Sequence, residues 1–148
     1  MVTWLALLIG LALLFEAVLN PNKTENLGKG ETVVLERGPD GQYHAEALIN
    51  GVKVNVLVDT GATGVAISKQ LADRLGLKST GTIRANTATG ESIGYAVRLA
   101  SVRLGGIEAS DVGAAIVPGL GEEVLLGMSF LGRMDIRLYQ GRMTIKNR

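Results

Sequence analysis

Asn55-Val56-Leu57-Val58-Asp59-Thr60-Gly61-Ala62-Thr63 carries an apolar run straight into a carboxylate and then a glycine turn. A carboxylate is a proton-transfer group, so Asp59 is the first candidate for general acid–base chemistry. Gly61 lets the backbone turn closely beside it. The same triplet also reads as a loop cap, with the Asp side chain accepting local N–H groups. The remaining aspartates, in Asp40-Gly41, Asp73-Arg74, Asp111-Val112 and Asp135-Ile136, do not repeat the Asp-Thr-Gly. Other chemistries lack their residues. There is no cysteine, which excludes disulfides, thiolate metal sites and a cysteine nucleophile. The single histidine, His44, argues against a multi-histidine metal site, so no metal and no cofactor are expected. No Gly-x-Ser-x-Gly accompanies it, and His44 reads as a structural or surface residue. Gly28-Lys29-Gly30 and Gly119-Leu120-Gly121 lack the setting and third glycine of a dinucleotide site. A net charge of +1 offers no phosphate-neutralising surface, so nucleic acid is not an expected partner. Arg137, Arg142, Lys146 and Arg148 read as a solvated strand edge.

The elements that must hold Asp59 read mostly as short strands. The chain has 148 residues, 47% hydrophobic and 20% charged, which suits one ordered domain rather than disorder. Its 20 glycines and few aromatics suggest many tight turns. Thr32–Arg37 is an expected strand, and Gly38-Pro39-Asp40-Gly41 a turn. Tyr43–Ile49 and Val52–Val58 alternate about Asn50-Gly51, a strong hairpin signal. Ser68–Leu75 has helical spacing, with Ile67, Leu71 and Leu75 on one face, Ser68 as cap and Gly76 as stop. Strands then return at Thr82–Asn86, Ser92–Leu99, Ser101–Leu104 and Asp111–Val117, with Gly105-Gly106 as a turn. Val124–Leu126 is a short apolar run, and Ser129–Arg133 a helical turn. Asp135–Tyr139 and Arg142–Lys146 form a last hairpin around Gln140-Gly141. The pattern predicts an all-β barrel or sandwich with one short helix.

The first residues have a different character. Val2 to Phe15 is an apolar run that Ala17-Val18-Leu19 extends past Glu16. As a helix, Val2–Leu19 would span about 27 Å, close to the hydrocarbon thickness of a bilayer. Residues 1–19 are therefore expected as a transmembrane anchor. A cleaved signal peptide and a buried or partner-binding helix are the other readings. The signal peptide lacks support, because Met1–Thr3 has no Lys or Arg and no A-x-A precedes Asn20. Residues 20–31 are polar and aperiodic and read as a linker to a domain over residues 32–148. Lys23 and Lys29 are offset by Glu25 and Glu31, so charge sets orientation weakly. A single-pass protein with an extracytoplasmic domain is the expectation.

A second signature, Leu125-Leu126-Gly127 before Met128-Ser129-Phe130-Leu131, follows Asp59 by several strands. The pair of motifs, with a short helix and a glycine-tipped hairpin between them, resembles the retropepsin-like aspartic proteases. It is most similar to the single-domain, membrane-anchored bacterial members. The resemblance runs from Tyr43 to Lys146 and, more loosely, over the anchor. It implies a single-lobe closed β-barrel and an aspartic endopeptidase that hydrolyses polypeptide substrates. Such enzymes share one proton between two close carboxylates: one activates water, the other donates to the developing oxyanion. With one Asp-Thr-Gly per chain, the site implied is at the two-fold axis of a homodimer, with Asp59 from each protomer. An anchor would raise effective concentration in the membrane plane.

By the same resemblance Thr60 bonds across the dimer axis, Gly61 offers its N–H near the carboxylate, and Thr63 supports the loop. Leu125, Leu126 and Gly127 pack beneath it. Thr82–Leu99 would be a flap over substrate, tipped by Thr87, Ala88, Thr89, Gly90 and Glu91; an ordinary exposed hairpin is the other reading. The chain departs from the retroviral pattern at one place. Those members carry a basic residue after the second-motif glycine, paired with an acidic one after the catalytic loop. Here the positions hold Met128 and Thr63-Gly64. The last hairpin, Asp135–Lys146, is the other source of interface strands. Two further readings remain: a membrane-tethered module that grips peptide or its own copy without hydrolysis, and a tethered β-barrel with a structural role.

Overall fold

A computed structural model describes residues 21–87 and 90–148. The expected anchor over residues 1–19 therefore lies outside the described residues. Among those described, no helix is long and apolar enough to cross a membrane.

The first described element is α1 (Thr24–Leu27), followed by β1 (Thr32–Glu36), β2 (Tyr43–Ile49) and β3 (Val52–Val58). Next come β4 (Val65–Ile67), α2 (Lys69–Arg74), β5 (Gly81–Thr87) and β6 (Gly90–Leu104). The chain finishes with β7 (Ile107–Ile116), β8 (Val124–Leu126), α3 (Met128–Leu131), β9 (Met134–Tyr139) and β10 (Arg142–Asn147). Among the described residues three short helical segments are present: α2 and the helical turn at α3 match the expected places, and α1 was not expected.

Strands β2-β3-β8-β4-β7-β6 are neighbours in that order, and β2 pairs again with β6. This ring closes the expected barrel, and β5 hangs from its β6 edge. A separate sheet, β1-β10-β9, packs beside it. Alternating side chains fill the interior: Val56, Leu99, Leu104, Leu126, Phe130 and Ile145 are fully buried.

The β2–β3 hairpin has the expected bounds. Asn50 and Gly51 both take positive φ, 50° and 79°, as a two-residue hairpin turn of matching twist requires. Asn50 also accepts the Ser101 N–H on its side chain at 3.1 Å and donates its own N–H to the Ser101 carbonyl at 2.9 Å. The hairpin tip thus sews the barrel shut.

Helix α2 starts as its sequence suggests, with the Ser68 hydroxyl accepting the Leu71 N–H at 3.1 Å. It ends with Gly76 N–H on the Asp73 carbonyl and Leu77 N–H on the Ala72 carbonyl, which satisfies its last acceptors. Ile67 is not on the helix face but in β4, where it is fully buried.

Strand β6 is continuous where the alternation suggested two strands. Val97 and Leu99 face the core, then Val102 and Leu104, so the buried phase slips by one at Ala100–Ser101. Opposite, the phase on β7 slips at Asp111, a non-glycine residue at φ 53°. Backbone pairing continues on both sides of the slip. The period-two signal breaks there, which is why the sequence suggests separate strands and hides Ile107–Ser110.

The stretch expected as a linker docks on the barrel from Asn22 onward. The buried Asn22 side chain donates to the Glu36 and His44 carbonyls and accepts the Glu36 N–H, all at 2.8 Å. Leu27 is buried against the β6–β7 turn at Gly105.

Candidate active site

Strand β8 lies between β3 and β4, parallel to the first and antiparallel to the second. The segment from Asp59 to Gly64 must therefore arch over the end of β8 to reach β4. It is pinned twice on the way. Asp59 N–H donates to the Leu126 carbonyl at 3.1 Å, and Met128 N–H donates to the Ala62 carbonyl at 2.8 Å. Gly127 lies directly under the arch. A Cβ there would overlap the Gly64 carbonyl and stand 2.7 Å from the Ala62 carbonyl. The close approach explains a glycine at this place, and Leu126 and Gly127 support the loop from beneath, while Leu125 pairs with Leu57 and Ala66 in the sheet.

The half-buried Asp59 carboxylate accepts the Gly61 N–H on Oδ1 at 2.8 Å. This bond caps the turn locally and fixes the orientation of the carboxylate. Its other oxygen makes no hydrogen bond among the described residues. Thr60 is exposed and its hydroxyl makes none either. Thr63, expected to support the loop, is exposed and unbonded among the described residues. Ser129 does that work instead. Its hydroxyl accepts the Val65 N–H at 3.1 Å and donates to the Gly113 carbonyl at 2.7 Å, tying the end of the arch to β7. Its place two residues after Leu125-Leu126-Gly127 was the only available signal.

Asp59 and Thr60 line a cavity of about 400 Å³. Tyr43, with the turn before β2, forms one wall; Leu138 of β9 and Met143 of β10 form another. A larger concavity of about 930 Å³ excludes Asp59 and is lined by His44 and charged residues of both signs. It holds no Ser or Cys nucleophile, and the smaller cavity is the one with candidate chemistry.

The expected flap is the β5–β6 hairpin. Thr87 pairs with Gly90, so the tip falls where expected, while Ala88 and Thr89 lie outside the described residues. Gly90 has φ 122°. Glu91, expected to touch substrate, pairs with Arg84 across the hairpin at 3.7 Å. Two residues escaped notice in the sequence. Ile93 is 62% exposed and Tyr95 40% exposed, on the same face of β6 as the buried Val97 and Leu99. The apolar stripe of Ile93, Tyr95, Val97 and Leu99 runs past the core, and that overrun was legible as a run longer than a barrel wall needs.

Among the described residues no group of His, Asp and Glu could hold a metal ion. His44 has partners of its own. One ring nitrogen, Nδ1, stands 2.7 Å from Glu123 Oε2, and Nε2 stands 2.6 Å from Asp40 Oδ2. Partial burial opposes its charged form, but the bonds to Glu123 and Asp40 outweigh burial and raise its pKa above 6.5.

Residues 45–133 match the family described as "gag-polyprotein putative aspartyl protease". A crystal structure of a retropepsin-like aspartic protease from Rickettsia conorii superposes with a TM-score of 0.67 at 32% identity. That likeness covers 78% of this chain and 90% of the other. The chain belongs to the retropepsin-like aspartic proteases. The protease of EIAV, solved in complex with the inhibitor HBY-793, shares the retropepsin fold at 18% identity and a TM-score of 0.55, covering 64% of this chain and 88% of that one. Two uncharacterised proteins are also similar to this retropepsin-like chain. One, encoded in the cobV 5′ region of a Sinorhizobium species, is 31% identical over 76% of this chain and 50% of its own. The other, RP867 of Rickettsia prowazekii, is 36% identical over 68% of this chain and 45% of its own. The chain thus spans about half the length of these curated relatives.

Proposed function

We propose that the chain is an aspartic endopeptidase that works as a homodimer, with Asp59 of each protomer sharing one proton and one water. The observation that carries this reading is the Asp59 loop: a carboxylate at the mouth of a cavity, oriented through Oδ1 and open at Oδ2. One carboxylate can accept a proton from water as it attacks the carbonyl carbon, but cannot also protonate the carbonyl oxygen. A second Asp59 supplies that proton, because two carboxylates in contact cannot both ionise. Thr60 would bond to its symmetry mate, and the β5–β6 hairpin would close over an extended peptide.

Strand β9 supports the dimer. It is an edge of the β1-β10-β9 sheet, with Leu138 55% exposed and Tyr139 69% exposed. Leu138 also lines the Asp59 cavity, so a copy docked along this edge stands beside the carboxylate. The reading further includes a single-pass anchor over residues 1–19, which would hold protomers in one plane with the domain on the extracytoplasmic side.

The test is hydrolysis of a mixed peptide library by the full chain in bilayers from pH 4 to 7, beside Asp59→Asn. Cleavage that rises faster than linearly with protein density and disappears in the folded variant is the expected result. Silence of the folded wild-type chain across that range would reject the enzyme and favour a peptide-gripping module on the same fold.

A further inference from the structure

His44 sits between two carboxylates that belong to different parts of the fold. Asp40 is in the β1–β2 turn, and Glu123 is in the segment that leads into β8. Both ring nitrogens are at hydrogen-bond distance from carboxylate oxygens. A neutral imidazole has one N–H and can satisfy only one of them; the imidazolium has two and satisfies both. The geometry is complete only for a protonated ring.

One arm leads to a wall of the Asp59 cavity, the other to the strand that holds Asp59 in place. Asp40 precedes Gly41 and Gln42, which line that cavity, and its Oδ1 accepts the Gln42 N–H at 3.0 Å. Glu123 precedes Val124–Leu126, and the Leu126 carbonyl holds the Asp59 N–H. We infer that His44 is a proton-operated clamp, a positioning residue that ties the β1–β2 turn at the cavity wall to the segment entering β8 when protonated and releases them when neutral. The clamp stands on its own geometry; only its effect on hydrolysis rests on the peptidase reading.

The charged surroundings favour this state. Around the larger concavity that His44 lines lie the carboxylates of Asp40, Glu46, Glu122 and Glu123. Facing them are Lys23 from the N-terminal segment, Lys53 from β3 and Arg74 from α2, while Arg37 Nε donates back to the Gly41 carbonyl at 2.9 Å. With His44 neutral, the concavity holds one more negative charge than positive, and a proton on the ring balances it. The sign follows. A His whose folded pKa lies above 6.5 contributes stability that is complete below 6.5 and is lost as pH rises through the folded value. The His44 bond lowers the Asp40 pKa from 3.8, so that arm fails only in strong acid. The clamp is therefore closed from pH 3.8 to 6.5 and opens as pH rises through the folded His44 value.

Because His44 is the sole histidine, its ring gives one unambiguous NMR titration in the full chain. The expected midpoint lies above 6.5 and falls in both Glu123→Gln and Asp40→Asn. Thermal stability should drop through the same midpoint in the wild type and stay level there in His44→Gln. A midpoint at or below 6.5, or one that neither variant moves, would overturn the clamp. On the side of catalysis, the alkaline limb of peptide cleavage should follow the His44 titration and shift to lower pH in Glu123→Gln. A limb that does not shift would detach the clamp from the site. Absence of cleavage in every variant would reject the peptidase and leave the clamp to be judged by titration alone.

Discussion

Leu126 holds Asp59 by its backbone: the Leu126 carbonyl accepts the Asp59 N–H at 3.1 Å, while the next residue, Gly127, fits beneath the arch that follows Asp59. Two motifs far apart in the chain are thus one structural unit. Leu-Leu-Gly is the floor on which Asp-Thr-Gly rests, and the parallel pairing of β3 with β8 brings them together.

Gly127→Ala should damage that unit. Its Cβ would meet two backbone carbonyls, which cannot rotate away as a side chain can. The expected loss is about 1–3 kcal/mol or more, as for overpacking in a tight interior. Gly64→Ala is the control, since a Cβ there meets only the Ser129 hydroxyl at 3.9 Å. Urea unfolding of the two variants measures the difference, and equal stabilities would contradict the arch geometry.

Ser129→Ala removes one hydroxyl and strands two backbone groups, Val65 N–H and Gly113 C=O. Leaving such groups unpaired costs about 1–3 kcal/mol. The effect on hydrolysis should exceed that of Thr63→Ala, because Thr63 is exposed and unbonded among the described residues. Parallel denaturation and peptide-cleavage assays test the ranking, and the reverse order would restore Thr63 to the supporting role.

Asn22→Ala should destabilise the domain by about 1–3 kcal/mol, since the side chain is 2% exposed and bridges β1 and β2. A chain trimmed to begin at Lys23 should lose the same amount. Thermal melts of both forms provide the check. No loss in either would mean that the N-terminal segment is dispensable, as a linker would be.

Asp111 provides a second pH response of opposite sign to His44. The hydrogen bond from Arg98, then the charge of that guanidinium, lower its pKa from 3.8. Stability from the pair is present above 3.8 and is lost as pH falls through the lower folded value. Asp111→Asn keeps a side chain that tolerates φ 53°, so it removes the charge and leaves the backbone in place. The pair is exposed, so the difference should be small and salt-sensitive. Melting temperatures of the two chains should differ at pH 6 in low salt and converge toward pH 3; a constant gap would assign the effect to something other than ionisation.

Leu138→Lys tests the proposed edge. A charge at the β9 edge opposes pairing with another copy. Dimer affinity should fall about tenfold or more, with monomer stability little changed because Leu138 is 55% exposed. Analytical ultracentrifugation reads the first and thermal melts the second. Unaltered association would place the interface elsewhere.

The sequence by itself determined what local signals can determine. Asn50-Gly51 between alternating runs specified the β2–β3 hairpin, because that turn demands positive φ at both residues. Ser68 specified the start of α2. Asp-Thr-Gly and Leu-Leu-Gly pointed to the candidate carboxylate and, by resemblance, to its family; at Gly127 the arch leaves no room for a side chain.

Tertiary structure decided the rest. Nothing local says that β8 inserts between β3 and β4, so the need for Ser129 and the crowding at Gly127 appear only once the arch exists. The one-residue phase slip at Ala100 and Asp111 erased the alternation that would have shown β6 and β7 whole. Asn22 and Leu27 looked like linker residues because a few anchoring side chains in a polar stretch leave no periodicity. His44 acquired its two carboxylates from segments 4 and 79 residues away, and only the folded barrel brings the second of them to the ring.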